Sequence, residues 1–370
     1  MRLGIIGAGQ LGRMLALAGY PLGLRFVFLD KSADAPGGQV GSLITGDFDD
    51  ADKLRELADA VDVMTFDVEN VPVDAIRSIA RRVRFLPPVR ALEAAQDRLA
   101  EKTLFESLGI PTPKFRAVDD PADLREAARP IGYPAVLKTR RLGYDGKGQK
   151  HLFSDADIEP AWAALGHVPL ILETRVPFDF EVSVIGVRST NGETASYPIS
   201  RNHHEGGILH HCIAPFVDAH LQAEAEEYLA RMFEHLDYAG VLTIEFFVRD
   251  GELMANEMAP RVHNSGHWTI EGAVTSQFEN HIRAVLGLPL GDTVAIGCSG
   301  MVNFIGWLPP LERVLAIPGS HYHSYGKEPR PLRKLGHCTV TASSAAVRDE
   351  RLDELLAMNE AGDAVSHGRP

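Results

Sequence analysis

After Met1 the chain reads Arg2-Leu3-Gly4-Ile5-Ile6, followed by Gly7-Ala8-Gly9-Gln10-Leu11-Gly12. The apolar run is typical of a buried strand, the glycines of a tight turn, and residues 11–18 of a helix. Backbone N–H groups at such a helix start favour an anion, and Asp30 lies where a dinucleotide-binding fold holds a ribose. The stretch predicts an α/β fold, whose glycines either contact a ligand or only permit the turn.

Strands and helices continue to alternate up to Pro87-Pro88, where the first unit is predicted to end. The predicted elements are the strand Leu24–Leu29, the helix Ala51–Ala60 and the strand Val61–Phe66. This alternation favours a parallel sheet covered by helices.

The bulk composition indicates an ordinary globular protein. Its 370 residues, 45% hydrophobic and 24% charged, predict two or three domains with real cores. A net charge of −13 argues against nucleic-acid binding. The cysteines Cys212, Cys298 and Cys338 form no metal-spaced pair, which favours a reduced, cytoplasmic setting. No apolar stretch is long enough for a membrane span, so no membrane partner is expected.

The middle and end of the chain give further predicted elements. They are a helix from about Ala91 to Leu108, strands Tyr133–Lys138, Pro169–Leu172 and Phe180–Val187, a helix Leu221–Leu236, and a hairpin of Val241–Val248 with Leu253–Met258. From about Asp292 we predict short strands and turns, and after Met358 a polar tail.

A lysine and a glycine-rich loop indicate a phosphate site. Lys138 ends an apolar strand, and the loop Gly143–Gln149 follows five residues later. Glycines allow the backbone to approach phosphates closely, and lysine supplies a point charge for their oxygens. A mobile surface loop is the alternative, but the lysine on the strand and Lys147 within the loop favour function.

Two carboxylates in the predicted hairpin indicate a metal site. Glu245 and Glu257 lie in otherwise apolar strands. A three-residue loop would place them directly opposite each other, whereas a two-residue turn at Asp250-Gly251 would pair Glu245 with Asn256. Opposed like charges destabilise a sheet unless a cation lies between them, and hard oxygen ligands suit Mg²⁺. The alternative is a pair of solvent-facing edge carboxylates.

Two polar segments could bind an anionic substrate. The first, Arg261-Val262-His263-Asn264-Ser265, follows the acidic hairpin immediately and suits an oxyanion or a polar heterocycle. The second is a basic patch in an acidic protein, with Lys327, Arg333 and Lys334. That patch is either a phosphate clamp or solvated charge.

Together, in this order, these segments resemble the ATP-grasp enzymes and, more narrowly, the 5-(carboxyamino)imidazole ribonucleotide synthases. The resemblance extends from Met1 to about Ala346. The matching strings are Gly4–Met14, Glu69-Asn70-Val71-Pro72, Gln96-Asp97-Arg98 with Lys102, Gly143–Gln149 and Asn256–His267.

The resemblance implies mixed α/β and α+β architecture in three domains. A pre-ATP-grasp Rossmann-like domain is expected over 1–95, an ATP-grasp domain over 96–291 with a lid of about 110–175, and a small C-terminal β-rich domain over 292–370. The implied reaction uses ATP, bicarbonate and 5-aminoimidazole ribonucleotide, through carboxyphosphate, in purine synthesis. The resemblance also implies Mg²⁺, with Mn²⁺ as an alternative, and a homodimer.

Site residues are carried over from the resemblance by position. Expected ATP contacts are Arg98, Lys138, Gly143, Tyr144, Asp145, Gly146, Lys147, Gly148, Gln149, Glu173, Thr174, Arg175, Val176, Glu181, His204, Asn256 and Glu257. Expected metal ligands are Glu245 and Glu257. Expected contacts to the ribonucleotide and bicarbonate are Gly9, Gln10, Leu11, Glu69, Tyr144, Arg261, His263, Asn264, Ser265, Lys327, Arg333 and Lys334. Expected catalytic residues are Asp145, Lys147, Arg261, His263 and Asn264, with Asp145 and His263 as candidate general bases.

Three other functions compete with this prediction. A formate-dependent glycinamide ribonucleotide transformylase would share the ATP-binding half, although Arg261–Ser265 followed by Trp268-Thr269 favours carboxylation. An NAD-dependent oxidoreductase would rest on Gly7–Gly12 and Asp30 alone. A non-catalytic nucleotide-binding regulator would not need the lysine and paired glutamates.

Overall fold

The computed structural model describes residues 1–143 and 147–366. The predicted loop ligands Tyr144, Asp145 and Gly146, and residues 367–370 of the predicted tail, lie outside the described residues.

The first unit is the parallel α/β sheet that the opening stretch predicted. Its elements are β1 (Arg2–Ile6), α1 (Gln10–Gly19), β2 (Arg25–Asp30), β3 (Ser42–Thr45), α2 (Ala51–Ala60), β4 (Val63–Phe66), α3 (Val73–Ile79), β5 (Arg84–Phe85) and α4 (Val89–Gln96). The strand order is β3-β2-β1-β4-β5 and all pairs are parallel. The carboxyl ends of β1 and β4 therefore meet at one edge, where Gly7 and Asp67 follow them.

A small antiparallel sheet follows. Its elements are α5 (Arg98–Ser107), β6 (Phe115–Val118), α6 (Pro121–Ile131), β7 (Ala135–Thr139), β8 (Gln149–Leu152), α7 (Ile158–Leu165) and β9 (Leu170–Thr174). The order is β6-β9-β7-β8, and α6 and α7 pack on it through a core that includes Leu124, Ala161 and Leu172.

The remaining strands form one large, antiparallel sheet with helices against it. Its elements are β10 (Phe180–Arg188), β11 (Thr194–Ser196), β12 (Ser200–Glu205), β13 (Ile208–Ala214), α8 (Ala219–His235), β14 (Gly240–Arg249), β15 (Glu252–Ala259), α9 (Thr269–Gly272), α10 (Gln277–Leu286), β16 (Cys298–Ile305), α11 (Leu311–Leu315), β17 (Ser320–Ser324), β18 (Lys334–Ala342) and α12 (Ala345–Ser366). The order is β15-β14-β10-β12-β13-β16-β18-β17, with β11 paired to β10. The C-terminal strands thus extend the sheet that carries the acidic hairpin.

The first unit and the large sheet share a hydrophobic core. Leu15 and Phe26 of the first unit lie in the same buried cluster as Ile282 and Val285 of α10. This packing brings the carboxyl edge of the parallel sheet to the hairpin, and it fixes residues of both units around one cleft.

The helix predicted from about Ala91 to Leu108 is wrong as a single element, because the chain breaks at Asp97. Asp97 has extended φ and ψ of −130° and 110°, and its carboxylate accepts hydrogen bonds from N–H groups in the first turn of α5. Arg140 and Arg141 bind the same carboxylate at 2.9 and 3.1 Å. The N-cap and the two ion pairs stabilise the break and start a second helix.

The prediction of short strands and turns after Asp292 is also wrong. Strands β16 and β18 are eight and nine residues long, and α12 extends through much of the predicted polar tail. Leu352 and Leu355 of α12 are buried in a cluster with Val302 and Val340. Burial of this apolar stripe against the sheet stabilises a helix in a sequence that is polar elsewhere. Within the described ranges, no helix combines the length and apolarity that crossing a bilayer requires.

Candidate active site

A cavity of about 980 Å³ lies where the three sheets meet, and most of the predicted site residues line it. The predicted residues on its wall are Gln10, Leu11, Glu69, Arg98, Lys138, Gly143, Lys147, Gln149, Glu173, Thr174, Arg175, Val176, Glu181, His204, Glu245, Asn256, Glu257, Arg261, His263, Asn264, Lys327, Arg333 and Lys334. Of the other predicted residues that the structure describes, Gly9, Gly148 and Ser265 do not reach this wall.

The acidic hairpin combines the two registers that the sequence left open. The turn is the two-residue Asp250-Gly251, whose φ values of 53° and 81° are those of a tight left-handed turn. A β-bulge then shifts the register between Glu245 and Phe246, so that Glu245 lies opposite Glu257 after all. Asn256 is the extra residue of the bulge, and it lines the cavity together with Glu257.

The two hairpin carboxylates lie in different electrostatic surroundings. Burial raises the pKa of Glu245, which is 8% exposed, and nearby His204 only partly offsets this. Burial also acts to raise the pKa of Glu257, but Arg98 and Lys138 outweigh it and lower that pKa. Oε1 of Glu245 is buried and has no hydrogen-bond partner among the described residues. Nε2 of His263 lies 3.7 Å from this oxygen, beyond hydrogen-bond distance. A buried carboxylate oxygen without a hydrogen bond, opposite a second carboxylate, fits a hard divalent cation.

Basic side chains surround this pair on the side of the glycine-rich loop. Arg98 donates from Nη1 to Oε2 of Glu257 at 3.2 Å and from Nη2 to the Gly143 carbonyl at 3.3 Å. Lys138 donates to Oε2 of Glu173 at 2.8 Å. Although burial acts to raise it, the pKa of Glu173 falls to about 2 because Lys138 and Lys102 are close. Two cations therefore point into the cavity from fixed positions.

A histidine and a glutamate lie beside the hairpin on β10 and β12. Nδ1 of His204 and Oε2 of Glu181 are 2.9 Å apart. Burial acts to lower the pKa of His204, but the hydrogen bond to Glu181 and the charge of Glu245 raise it to about 9. His204 is therefore protonated at neutral pH and forms an ion pair within the cavity wall.

The opposite end of the cavity is lined by the first unit and the C-terminal strands. Arg261 lies 2.9 Å from Oε1 of Glu69, a carboxyl whose pKa is raised by burial. Lys327 donates to the side-chain oxygen of Gln10. Burial and the neighbouring Arg333 lower the pKa of Lys327 to about 8. Cations of the predicted patch thus face the cavity rather than bulk solvent.

His263 is held rigidly at the same end. Gln277 accepts from the His263 backbone N–H at 2.9 Å and donates to its carbonyl at 2.7 Å. Nδ1 of His263 is 2.9 Å from Oγ of Ser265, which is fully buried behind the wall. Burial, with the charge of Arg261, lowers the pKa of His263 well below its ordinary value, so the imidazole is neutral.

Several residues of the site were assigned no role from the sequence, although Lys102 stands in one of the matching strings. Asn303 exchanges two amide hydrogen bonds with Asn264, at 3.0 and 2.7 Å. Glu101 and Lys102 are buried beneath the hairpin and contact its backbone. Burial raises the pKa of Glu101 and lowers that of Lys102. Their spacing could have indicated them, because Glu101 and Lys102 follow Arg98 by three and four residues. On a helix this spacing places all three on one face.

The glycine-rich turn at Gly7–Gly12 is filled by a side chain of the protein itself. Oδ2 of Asp67 accepts from the Gly12 N–H at 2.9 Å, and a Cβ on Gly7 would lie 1.7 Å from Oδ1 of Asp67. Asp30 accepts from the Ala8 N–H at 2.8 Å. An internal carboxylate therefore takes the anion position at the start of α1, which argues against a dinucleotide there.

Another group of potential metal ligands lies on the surface, outside the cavity. Ligand atoms of His220, Glu224 and Glu252 lie within 4.8 Å of one another. Glu224 already accepts from the hydroxyl of Tyr228 at 2.5 Å, and His220 and Glu252 are exposed. We do not include this group in the candidate site.

Comparison with known families divides the chain into three matches. Residues 1–96 match the ribonucleotide synthetase preATP-grasp domain, residues 103–278 the ATP-grasp domain, and residues 299–351 the phosphoribosylaminoimidazole carboxylase C-terminal domain. The order agrees with that expected from the sequence.

Individual proteins are similar over nearly the whole chain. The N5-carboxyaminoimidazole ribonucleotide synthase of Pseudomonas aeruginosa is 53% identical over 362 residues, covering 98% of this chain and 100% of that protein. A crystal structure of N5-carboxyaminoimidazole ribonucleotide synthetase from Thermus thermophilus has a TM-score of 0.93 at 53% identity, covering 96% of this chain and 98% of that one. A crystal structure of N5-carboxyaminoimidazole synthase from Aspergillus clavatus, in complex with ADP and 5-aminoimidazole ribonucleotide, has a TM-score of 0.91 at 32% identity, covering 97% and 98%.

Proposed function

The chain belongs to the family of N5-carboxyaminoimidazole ribonucleotide synthases, and on this premise we propose that it carboxylates 5-aminoimidazole ribonucleotide. Bicarbonate supplies the carboxyl group, and ATP is converted to ADP and phosphate. The product is N5-carboxyaminoimidazole ribonucleotide, an intermediate of purine biosynthesis.

The observation that carries the proposal is the opposition of Glu245 and Glu257 in the wall of one cavity with a basic cluster at each end. A triphosphate and a ribonucleotide phosphate are both anionic, so each needs cations at its own end. The carboxylate pair between them supports a metal site at the point where the two substrates meet.

We assign ATP to the end lined by Arg98, Lys138 and the described residues of the loop Gly143–Gln149. Bicarbonate oxygen attacks the γ-phosphorus and ADP leaves, which forms carboxyphosphate. Glu245 and Glu257 would hold Mg²⁺, or Mn²⁺ in its place, which would supply charge neutralisation of the phosphates. Arg98 and Lys138 share the developing charge from fixed positions, so little reorganisation is needed during transfer.

Further ATP contacts are proposed on the strands beside the hairpin. The Glu173 side chain is committed to Lys138, so the adenine contact in this segment is assigned to the main chain from Thr174 to Val176. Glu181, already paired with His204, is assigned to the ribose hydroxyls.

We assign the ribonucleotide to the opposite end, with its phosphate near Lys327, Arg333 and Lys334. The amine attacks either the carboxyphosphate carbonyl or CO2 released from it, phosphate leaves, and the amine loses a proton. His263, which Gln277 holds in place, and Asp145 are the two candidates for accepting that proton. Arg261, fixed by Glu69, is positioned to stabilise the carboxyl oxygens.

The proposal extends to the organisation of the protein. We propose the pre-ATP-grasp domain over 1–95, the ATP-grasp domain over 96–291 with its lid, and the C-terminal domain over 292–370. As the family resemblance implies, we propose a cytoplasmic homodimer; light scattering of the purified protein would test the dimer.

The direct test is ADP release measured with each substrate omitted in turn. We expect release that requires 5-aminoimidazole ribonucleotide and bicarbonate together, with formation of the carboxylated ribonucleotide. Formate with glycinamide ribonucleotide is the matched control, because a transformylase would use that pair instead. Release with the control pair, and none with the proposed pair, would refute the assignment.

A further inference from the structure

One face of α5 is directed at the backbone of the hairpin strand that carries Glu257. Arg98, Glu101 and Lys102 follow the spacing i, i+3, i+4, which places them on the same side of the helix. Arg98 contacts the Glu257 side chain, as described above, whereas the other two contact main-chain atoms on either side of it.

The ammonium group of Lys102 is fully buried and binds the carbonyls just before Glu257. It donates to the Asn256 carbonyl at 2.7 Å and to the Ala255 carbonyl at 3.2 Å, and it lies 3.8 Å from Oε2 of Glu173. An ammonium has three N–H donors and no acceptor, so the two carbonyls accept hydrogen bonds from it while Glu173 adds an ion pair. Asn256 is the extra residue of the bulge, and its backbone is not paired regularly with β14.

Glu101 binds the N–H group just after Glu257. Its Oε1 accepts from the backbone N–H of Met258 at 2.6 Å, and the side chain is 2% exposed. Glu101 and Lys102 therefore hold the strand on both sides of Glu257, through main-chain groups of β15, which is the last strand of the large sheet.

We propose that Glu101 and Lys102 are positioning residues that fix the bulge, so that Asn256 and Glu257 face the cavity together and Glu257 stands opposite Glu245. On a regular strand successive side chains point to opposite faces, so Asn256 and Glu257 could not both do so. This inference rests on the proposed role of Glu257 as a metal ligand, but the bulge itself can be tested separately.

The test compares Glu101→Met, Glu101→Gln and Lys102→Met in the full-length protein. Two properties are measured, namely hydrogen exchange of the segment 253–259 by mass spectrometry and Mn²⁺ affinity in the presence of ADP by electron paramagnetic resonance. We expect faster exchange in both Met variants and a loss of Mn²⁺ affinity of roughly 10- to 100-fold, as for other residues that orient metal ligands. Glu101→Gln keeps an acceptor oxygen and is expected to retain the wild-type values.

Ile199→Val provides the matched control, because Ile199 is fully buried in the hydrophobic cluster that packs against this part of the hairpin. It should lower the melting temperature while keeping Mn²⁺ affinity. Wild-type exchange and affinity in the Met variants would overturn the proposal, and so would a Glu101→Gln variant as impaired as Glu101→Met. If Lys102→Met does not fold, the two Glu101 variants decide.

The metal site and the bulge can be tested independently of each other. Unchanged Mn²⁺ affinity in Glu257→Gln would remove the metal assignment in the proposed function. Faster exchange of segment 253–259 in Glu101→Met would still support the role of α5 in fixing the bulge.

Discussion

Replacing Glu257 by Gln should raise the Mg²⁺ concentration needed for turnover by about 100- to 1000-fold. The substitution keeps the size of the side chain and one oxygen ligand, so what is lost is a unit of negative charge. At a separation of 4 Å and an effective dielectric constant of 20, a pair of unit charges contributes about 4 kcal/mol. Arg98 pairs with this carboxylate at 3.2 Å and already offsets part of its charge, so we expect a net loss of about 3–4 kcal/mol.

The assay is ADP release at saturating 5-aminoimidazole ribonucleotide and bicarbonate over a wide range of free Mg²⁺. Glu234→Gln is the control, because Glu234 is exposed on α8, outside the cavity, and its replacement removes the same charge from the protein. A Glu257→Gln enzyme with the Mg²⁺ dependence of the control would refute the reasoning, since the charge would then play no part in holding the ion.

Two further predictions concern the other end of the cavity and the glycine-rich turn. The double variant Lys327→Ala and Lys334→Ala should raise KM for the ribonucleotide by about 10-fold or more, because phosphate contacts are charge-assisted. KM for ATP should stay nearly constant. Equal changes in both KM values would contradict the assignment. Burial raises the pKa of Asp67 from 3.8 to about 6, so ionising it in the folded protein costs roughly 3 kcal/mol. This cost is absent below pH 4 and complete above pH 6, so wild-type stability should fall relative to Asp67→Asn as pH rises through that window. Urea unfolding at pH 4 and pH 7.5 measures the difference, and parallel pH dependence of the two proteins would exclude the effect.

The hairpin illustrates what could be predicted from the sequence and what could not. Apolar alternation and the Asp250-Gly251 turn were sufficient to predict the two strands and their connection. They did not decide the register, because the bulge at Asn256 is stabilised by Lys102 and Glu101, which precede it by more than 150 residues. A local pattern cannot report a stabilising contact that comes from so far away in the chain.

Elements that the sequence reasoning missed depend on tertiary contacts in the same way. The break at Asp97 looks like one polar residue in an amphipathic run, and only the ion pairs with Arg140 and Arg141 distinguish it from a surface carboxylate. Helix α12 has only a weak apolar stripe. The helix is stabilised because Leu352 and Leu355 pack against β16 and β18, and this packing is not visible in the local sequence.

Most residues lining the site were nevertheless identified from motifs carried by the resemblance. The residues without a motif, such as Asn303, contact residues far away in the chain, and such contacts produce no recognisable spacing in the sequence.

The carboxylate of Asp67 changes how the Gly7–Gly12 fingerprint should be interpreted in other sequences. This fingerprint is usually treated as evidence for an external phosphate. Here the anion at the glycine-rich turn is the Asp67 carboxylate, which follows directly after β4, the strand beside β1. A search for dinucleotide enzymes that scores only the glycines would include this chain. An acidic residue directly after the neighbouring parallel strand is a simple criterion by which such false assignments could be removed.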